Sequence, residues 1–267
     1  LTRDSLRKNR KATSPAVSAV IITAVTVVLV LVTGSYAYQT IERQRGASEF
    51  ETIKESILAF DDAVRDVAWD LGGSRSARFT INYGQLQSLS GGKLVVNASV
   101  GGIRVSKEVS TVLVRYSISN NYINFGNNYK AYILGNENQI VTSSTESYGR
   151  ALIEQKYGWV NITLGYRVRV MRTSVVKVGN DTVNYVDIFI IKTTVPKLST
   201  YIGDFDLAAR NVGIITKSEG PYPTSPADGK CSVSAEVGGS TSPPVTINLE
   251  PGQVVFNFII AEVQVTT

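Results

Sequence analysis

Between Ala12 and Ile41 the chain carries no charged side chain. A helix needs about 20 largely apolar residues to cross the hydrocarbon of a bilayer, so this run is long enough to span one. Arg3, Arg7, Lys8, Arg10 and Lys11 precede it, and the mixed charges Glu42, Arg43 and Arg45 follow. That asymmetry predicts an N-terminus held in the cytoplasm and the bulk of the chain exported.

Three fates are open to such a segment: a discarded secretory signal cut near VTGSYAY, a permanent anchor, or the core of an assembly. The helical pattern does not stop where a short signal would. Phe50, Ile53, Ile57, Phe60, Val64, Val67 and Leu71 recur at alternating spacings of three and four, which is one face of an amphipathic helix. Ser14 before Pro15 supplies a start signal and Gly72-Gly73 a stop. One helix from about Pro15 to Leu71 would be on the order of 85 Å long at ~1.5 Å per residue.

The two halves of that helix make different demands. The first is apolar on every side, so it needs lipid or a ring of like helices, with Val17, Val20, Ile21, Val25, Val28 and Leu31 as the residues to pack. Ser18, Ala19, Thr23, Ala24 and Thr26 between them allow helices to approach closely. Burying the Val, Ile and Leu side chains from Val17 to Val32 is worth on the order of 15 to 35 kcal/mol relative to water, more than an association cost of about 4 to 15 kcal/mol. The second half has a polar back. Glu49, Glu51, Lys54, Glu55, Asp61, Asp62, Arg65 and Asp66 are expected to face water.

Composition narrows the chemistry. There is no histidine, so the commonest general base and metal ligand are missing, and one cysteine, Cys231, allows no internal disulfide. Of the net charge of +5, residues 1 to 12 hold +4, which leaves nothing in the remainder to attract nucleic acid. No catalytic constellation, cofactor motif or metal-ligand spacing stands out, and the chain reads as a non-enzyme. Asp204 and Asp206 read as a solvated loop, and Cys231 as a small buried residue. Three sequons, at Asn97, Asn161 and Asn180, are candidate glycosylation sites on an exported domain.

Beyond Gly73 the periodicity turns to alternation. Val112, Val114, Tyr116 and Ile118 share one face, Tyr166, Val168 and Val170 another, and QVVFNFIIAEVQV reads as a long final strand. Further strands are expected near 77–83, 93–99, 130–142, 185–195, 230–237 and 245–249. YVDIFIIKTTV, apolar at both parities, is expected to be covered on both faces or to touch another subunit. SEGPYPTSPADGK and GGSTSPP read as exposed loops. The fold class is therefore α+β: a long N-terminal hydrophobic helix followed by an antiparallel β-sandwich, immunoglobulin-like in its strand count.

The basic leader ending RKNRKA, followed by TSPAVSAVI opening an unbroken apolar helix, resembles the class III signal peptide of archaeal flagellins and archaeal type IV pilin-like adhesion proteins. The resemblance covers about 40 residues. It implies cleavage by a membrane prepilin peptidase between Ala12 and Thr13 that leaves the helix on the mature subunit. Ala12 stands where the family commonly has glycine, and Val17, fifth from Thr13, lacks the glutamate of bacterial pilins, which favours the archaeal branch. The organisation so implied is a leader over 1–12, a filament-core helix over 13–72 and an outer domain over 73–267. It further implies transient membrane insertion, export by membrane assembly machinery, and an extracellular homopolymer contacting surfaces or other cells, for adhesion and also for motility. The competing reading is a single-pass anchored β-sandwich ectodomain that binds a ligand or supports the envelope.

Overall fold

The computed structural model describes the backbone of residues 5–143, 145–179, 181–224 and 229–267, and side chains from residue 17 onward apart from 178 and 240. Asn180, the first residues of the leader, and 225–228 within the SEGPYPTSPADGK stretch lie outside the described residues. The chain divides after Arg45 into two compact units.

Among the described residues, helix α1 (Ser5–Ala68) is the only secondary structure of the first unit, and it continues into the second. Its start corrects the sequence reading: Ser14 is not a cap, because the helix already runs from Ser5 through Ala12, Thr13 and Pro15. Leu6, Arg7, Lys8, Arg10 and Lys11 are all good helix formers, and one proline removes only one backbone bond from a helix so long. The far end is corrected too. α1 stops at Ala68, and Leu71 lies beyond it, 69% exposed. The Asp70 N–H donates to the Val67 carbonyl and the Gly73 N–H to that of Asp70, while Gly72 takes φ +82°. The glycine stop therefore begins one turn earlier than the apolar spacing suggests.

The second unit contains the strands. In chain order they are β1 (Ser74–Val100), β2 (Ile103–Ser119), β3 (Lys130–Leu134), β4 (Ile140–Val141), β5 (Gly149–Lys156), β6 (Trp159–Tyr166) and β7 (Val168–Val178). There follow β8 (Asp181–Thr194), β9 (Thr200–Pro223), β10 (Lys230–Val237), β11 (Ser240–Thr241), β12 (Val245–Asn248) and β13 (Gln253–Thr266). They form one hydrogen-bonded sheet in the order β3-β5-β6-β2-β1-β9-β13-β8-β7-β4, with β10 on the later half of β1 and β11 and β12 along β10. The sheet is mostly antiparallel. The expectation of a wholly antiparallel arrangement is corrected at two places, since β13 pairs with β8, and β4 with β7, in parallel. The excursion through β9 to β12 returns the chain beside β8 running the same way. The expected 130–142 strand divides at Gly135 (φ +75°) into β3 and β4, and β9 takes Asp204 and Asp206 and runs on to Pro223, through segments read as loops.

Two apolar clusters lie on opposite faces of this sheet. α1 from Phe50 to Ala68 packs with Phe79, Ile81, Leu86, Tyr116, Ile162 and Leu164 in the first. The second gathers Val96, Ala98, Val170, Val186, Phe256 and Phe258 with Cys231 and Val233. The long strands serve both by switching faces. In β13, Val254, Phe256, Phe258 and Ile260 point to the second cluster, and Ala261, Val263 and Val265 to the first. In β8 the switch falls at Ile190 and Ile191, which lie beside Ile260 and Ala261. YVDIFIIKTTV is thus a central strand covered on both faces by its own chain, with Phe189 against Trp69, their ring centroids 5.4 Å apart.

Candidate assembly interface

In the first unit the eleven Val, Ile and Leu side chains from Val17 to Val32 are each 51% to 68% exposed. They include Val17, Val20, Ile21, Val25, Val28 and Leu31, and the most apolar 18-residue window here has a mean hydropathy of 2.6 with none of it buried. The two interspersed threonine hydroxyls are satisfied within the helix. Thr23 Oγ1 donates to the Ala19 carbonyl at 2.9 Å and Thr26 Oγ1 to that of Ile22 at 2.8 Å, as such residues do in apolar helices. No charged side chain interrupts the apolar surface between Val17 and Val32. Of the charges that follow it, Glu42 and Arg45 pair with one another at 3.3 Å. Ala12 and Thr13 belong to α1 by backbone only, and nothing about their side chains is described.

The amphipathic half is built differently. Phe50, Ile53, Ile57, Phe60, Val64 and Val67 are at most 2% exposed, all within the second unit. That face is used inside the chain, so it offers nothing to a neighbour. The polar back is not all solvated, which corrects the sequence reading for Glu49 and Asp61. Glu49 is buried, and its carboxylate accepts the N–H groups of Asn82 (2.6 Å), Tyr83 (3.0 Å) and Gly84 (3.0 Å) and the Tyr116 hydroxyl at 2.8 Å. Burial, then the hydrogen bond to Glu49, drives the Tyr116 pKa far above the phenol range. Gly84 must be glycine, because a Cβ there would run into the Tyr116 ring.

Asp61 is buried at the start of β5, where Gly149 is also obligatory because a Cβ would strike the Asp61 carboxylate. Asp61 Oδ1 and the Tyr166 hydroxyl both lack a hydrogen-bond partner. Desolvation pushes the Asp61 pKa up to about 6, partly opposed by the charge of Arg65. At the helix end, Asn211 of β9 is 1% exposed and its Nδ2 donates to the carbonyls of Val67 (3.1 Å) and Ala68 (2.7 Å). It satisfies two carbonyls that a helix terminus leaves orphaned. None of Glu49, Asp61 and Asn211 was marked in the sequence as buried. Their partners lie up to 144 residues away, and the only local hint is an acidic residue one place before a core Phe or immediately after one.

The other predicted sites are scattered. Asn97 is 7% exposed near the end of β1, flanked by β2 and β10, and its Oδ1 accepts from Ser106 Oγ, so its amide is in no position to carry a glycan. Asn161 in β6 is half-buried and accepts from Ser117 Oγ at 2.6 Å. Asp206 lies 3.8 Å from Arg78, and among the described residues no three His, Cys, Asp or Glu side chains gather as a metal site would require. Cys231 is a free, buried thiol of the second cluster, its pKa raised to about 11 by burial.

Together these define an α+β chain with an N-terminal helix long and apolar enough to cross a membrane, joined to a strand-rich unit. Compared with known protein families, curated proteins and solved structures, the chain matches none.

Proposed function

We propose that this chain is the structural subunit of an extracellular cell-surface filament of the archaeal flagellin and type IV pilin-like kind. The observation that carries the reading is the apolar surface from Val17 to Val32, exposed on all sides of α1 and free of charged side chains. One partner covers one side of a helix, whereas a bundle of identical helices covers every side. Before assembly the same surface suits lipid, so membrane insertion and polymerisation are successive uses of one segment. The subunit would leave the membrane through assembly machinery after a prepilin peptidase cuts between Ala12 and Thr13. The strand-rich unit, read as a two-layered sandwich of the immunoglobulin-like type, would remain in solvent, and attachment to surfaces is the favoured task over swimming. The polymer itself has no catalytic step.

The test is N-terminal sequencing of the native protein sheared from cells, with the same material viewed by negative-stain electron microscopy. Filaments whose subunits begin at or beside Thr13 are the expected result. Detergent-soluble monomers that keep residues 1–12 would establish the anchored ectodomain instead, and a start beyond Tyr38 would establish a secreted domain.

A further inference from the structure

We infer that the sheet face of β5, β6, β2 and β1 turned away from α1 is a binding platform for an extended acidic polysaccharide bearing uronate groups. On these strands Leu86, Tyr116, Ile118, Ile153, Ile162 and Leu164 point into the cluster that holds Phe50. Alternation puts their neighbours on the opposite face, and over two successive rows those neighbours are polar apart from Leu152 of β5, which stands beside Thr163. Gln85, Ser117, Asn161 and Glu154 lie side by side, and Gln87, Arg115 and Thr163 form the next row. Two clefts open on this face, of about 340 Å³ and about 260 Å³, and both are lined by Arg115 and Glu154. Gly165 keeps the second open toward Leu113, whose Cδ2 would lie 2.7 Å from a Cβ at that position.

Charge selects an acidic ligand. Arg115, Arg150 and Lys156 face Glu154 alone, an excess of two positive charges. Lys156 answers Glu154 at 3.3 Å, but among the described residues neither Arg115 nor Arg150 has a carboxylate partner. Arg115 spends only its Nε, on Thr163 Oγ1 at 3.0 Å, and Arg150 lies over the Tyr132 ring. Two guanidinium forks thus remain for planar carboxylates, which they bind in bidentate fashion. They stand two strands apart, roughly 10 Å at ~4.8 Å per strand, so a polymer with an acid on each sugar reaches both.

Aromatic side chains supply the second element of sugar recognition. At the β5–β6 turn Tyr157 is 98% exposed and Trp159 43% exposed at the edge of the first cleft. Tyr157 is held at φ +52° and Gly158 at φ +81°, the paired left-handed geometry of a tight hairpin turn. A bulky residue at the first of these positions is conformationally unfavourable, where asparagine would serve the turn better. An exposed tyrosine kept there at that cost, beside a tryptophan, is suited to stack on the apolar face of a sugar ring.

This inference goes beyond the polymer reading and is tested on dispersed chains, so the failure of either leaves the other standing. The full chain, kept monomeric in a polyoxyethylene detergent, is titrated by calorimetry with polygalacturonate and with neutral dextran. Binding of polygalacturonate alone is expected. Arg115→Ala, Arg150→Ala and Trp159→Ala should each weaken it about tenfold or more, Arg115→Lys should recover part of the loss through charge without the fork, and Lys177→Ala on β7 should change nothing. Circular dichroism of each variant confirms that it is folded. No binding, equal binding of dextran, or binding that ignores all three substitutions while tracking only salt would overturn the proposal.

Discussion

A buried carboxylate is costly unless its oxygens are occupied, and Glu49 meets that condition with three backbone N–H groups and the Tyr116 hydroxyl. Removing it strands four donors at once. Glu49→Ala should lower the unfolding free energy by about 3 to 5 kcal/mol in urea titrations, and Tyr116→Phe, which leaves the carboxylate its three N–H donors, by about 1 kcal/mol. Asp61 is the opposite case, a buried carboxyl with an oxygen left bare. Its pKa of about 6 in the fold lies above the ordinary 3.8, so the folded state holds the proton more tightly. The stabilisation is therefore complete below pH ~3.8 and is lost as pH rises through ~6, a loss of roughly 2 to 3 kcal/mol at about 1.4 kcal/mol per unit. Urea midpoints between pH 4 and 7 should show this slope in the wild type. Asp61→Asn should flatten it, and an equal slope in that variant would put the titrating group elsewhere.

At the scale of elements, α1 tells the most. Asn211→Ala leaves two buried carbonyls at its end without donors, and should cost about 1 to 2 kcal/mol. Amide exchange at 65–68 should accelerate more than exchange in β13, because the lost bonds are at the helix terminus. Val20→Asp places a carboxylate where the proposed bundle has no water, a penalty of several kcal/mol per subunit. Filaments should vanish from sheared material while the strand-rich unit keeps its circular dichroism; intact filaments would remove Val20 from the core. The helix was legible because two spacings are local: an uncharged run and a 3-4 stripe whose six members from Phe50 to Val67 are all buried. Strand alternation was legible for the same reason, as in Val114, Tyr116 and Ile118. Pairing was not. The parallel β13–β8 contact joins residues about 70 apart, and no turn between them records direction. The face switch at Ile190-Ile191 shows in the sequence only as a doubled apolar position, which a strand covered on both faces would show equally. Glu49 was misread because a polar residue beside a stripe faces water unless another strand comes to meet it.

In the whole molecule, the second unit builds two closed apolar clusters, whereas the apolar run of the first is open along its length. Both strand clusters are closed by the chain's own residues, while Val17 to Val32 is left exposed. Because the amphipathic face is consumed internally, the proposed polymer would draw on residues before Arg45, and substitutions at Phe50 or Ile57 should act as folding defects, reducing the yield of subunit and leaving the spacing within any filaments formed unaltered. The six core side chains from Phe50 to Val67 are spread over 18 residues of α1, a contact about 27 Å long at ~1.5 Å per residue. A force applied along the helix axis would load those anchors, the Glu49 clasp and the Asn211 cap in parallel, as a lap joint in shear, and would have no single end from which to peel them.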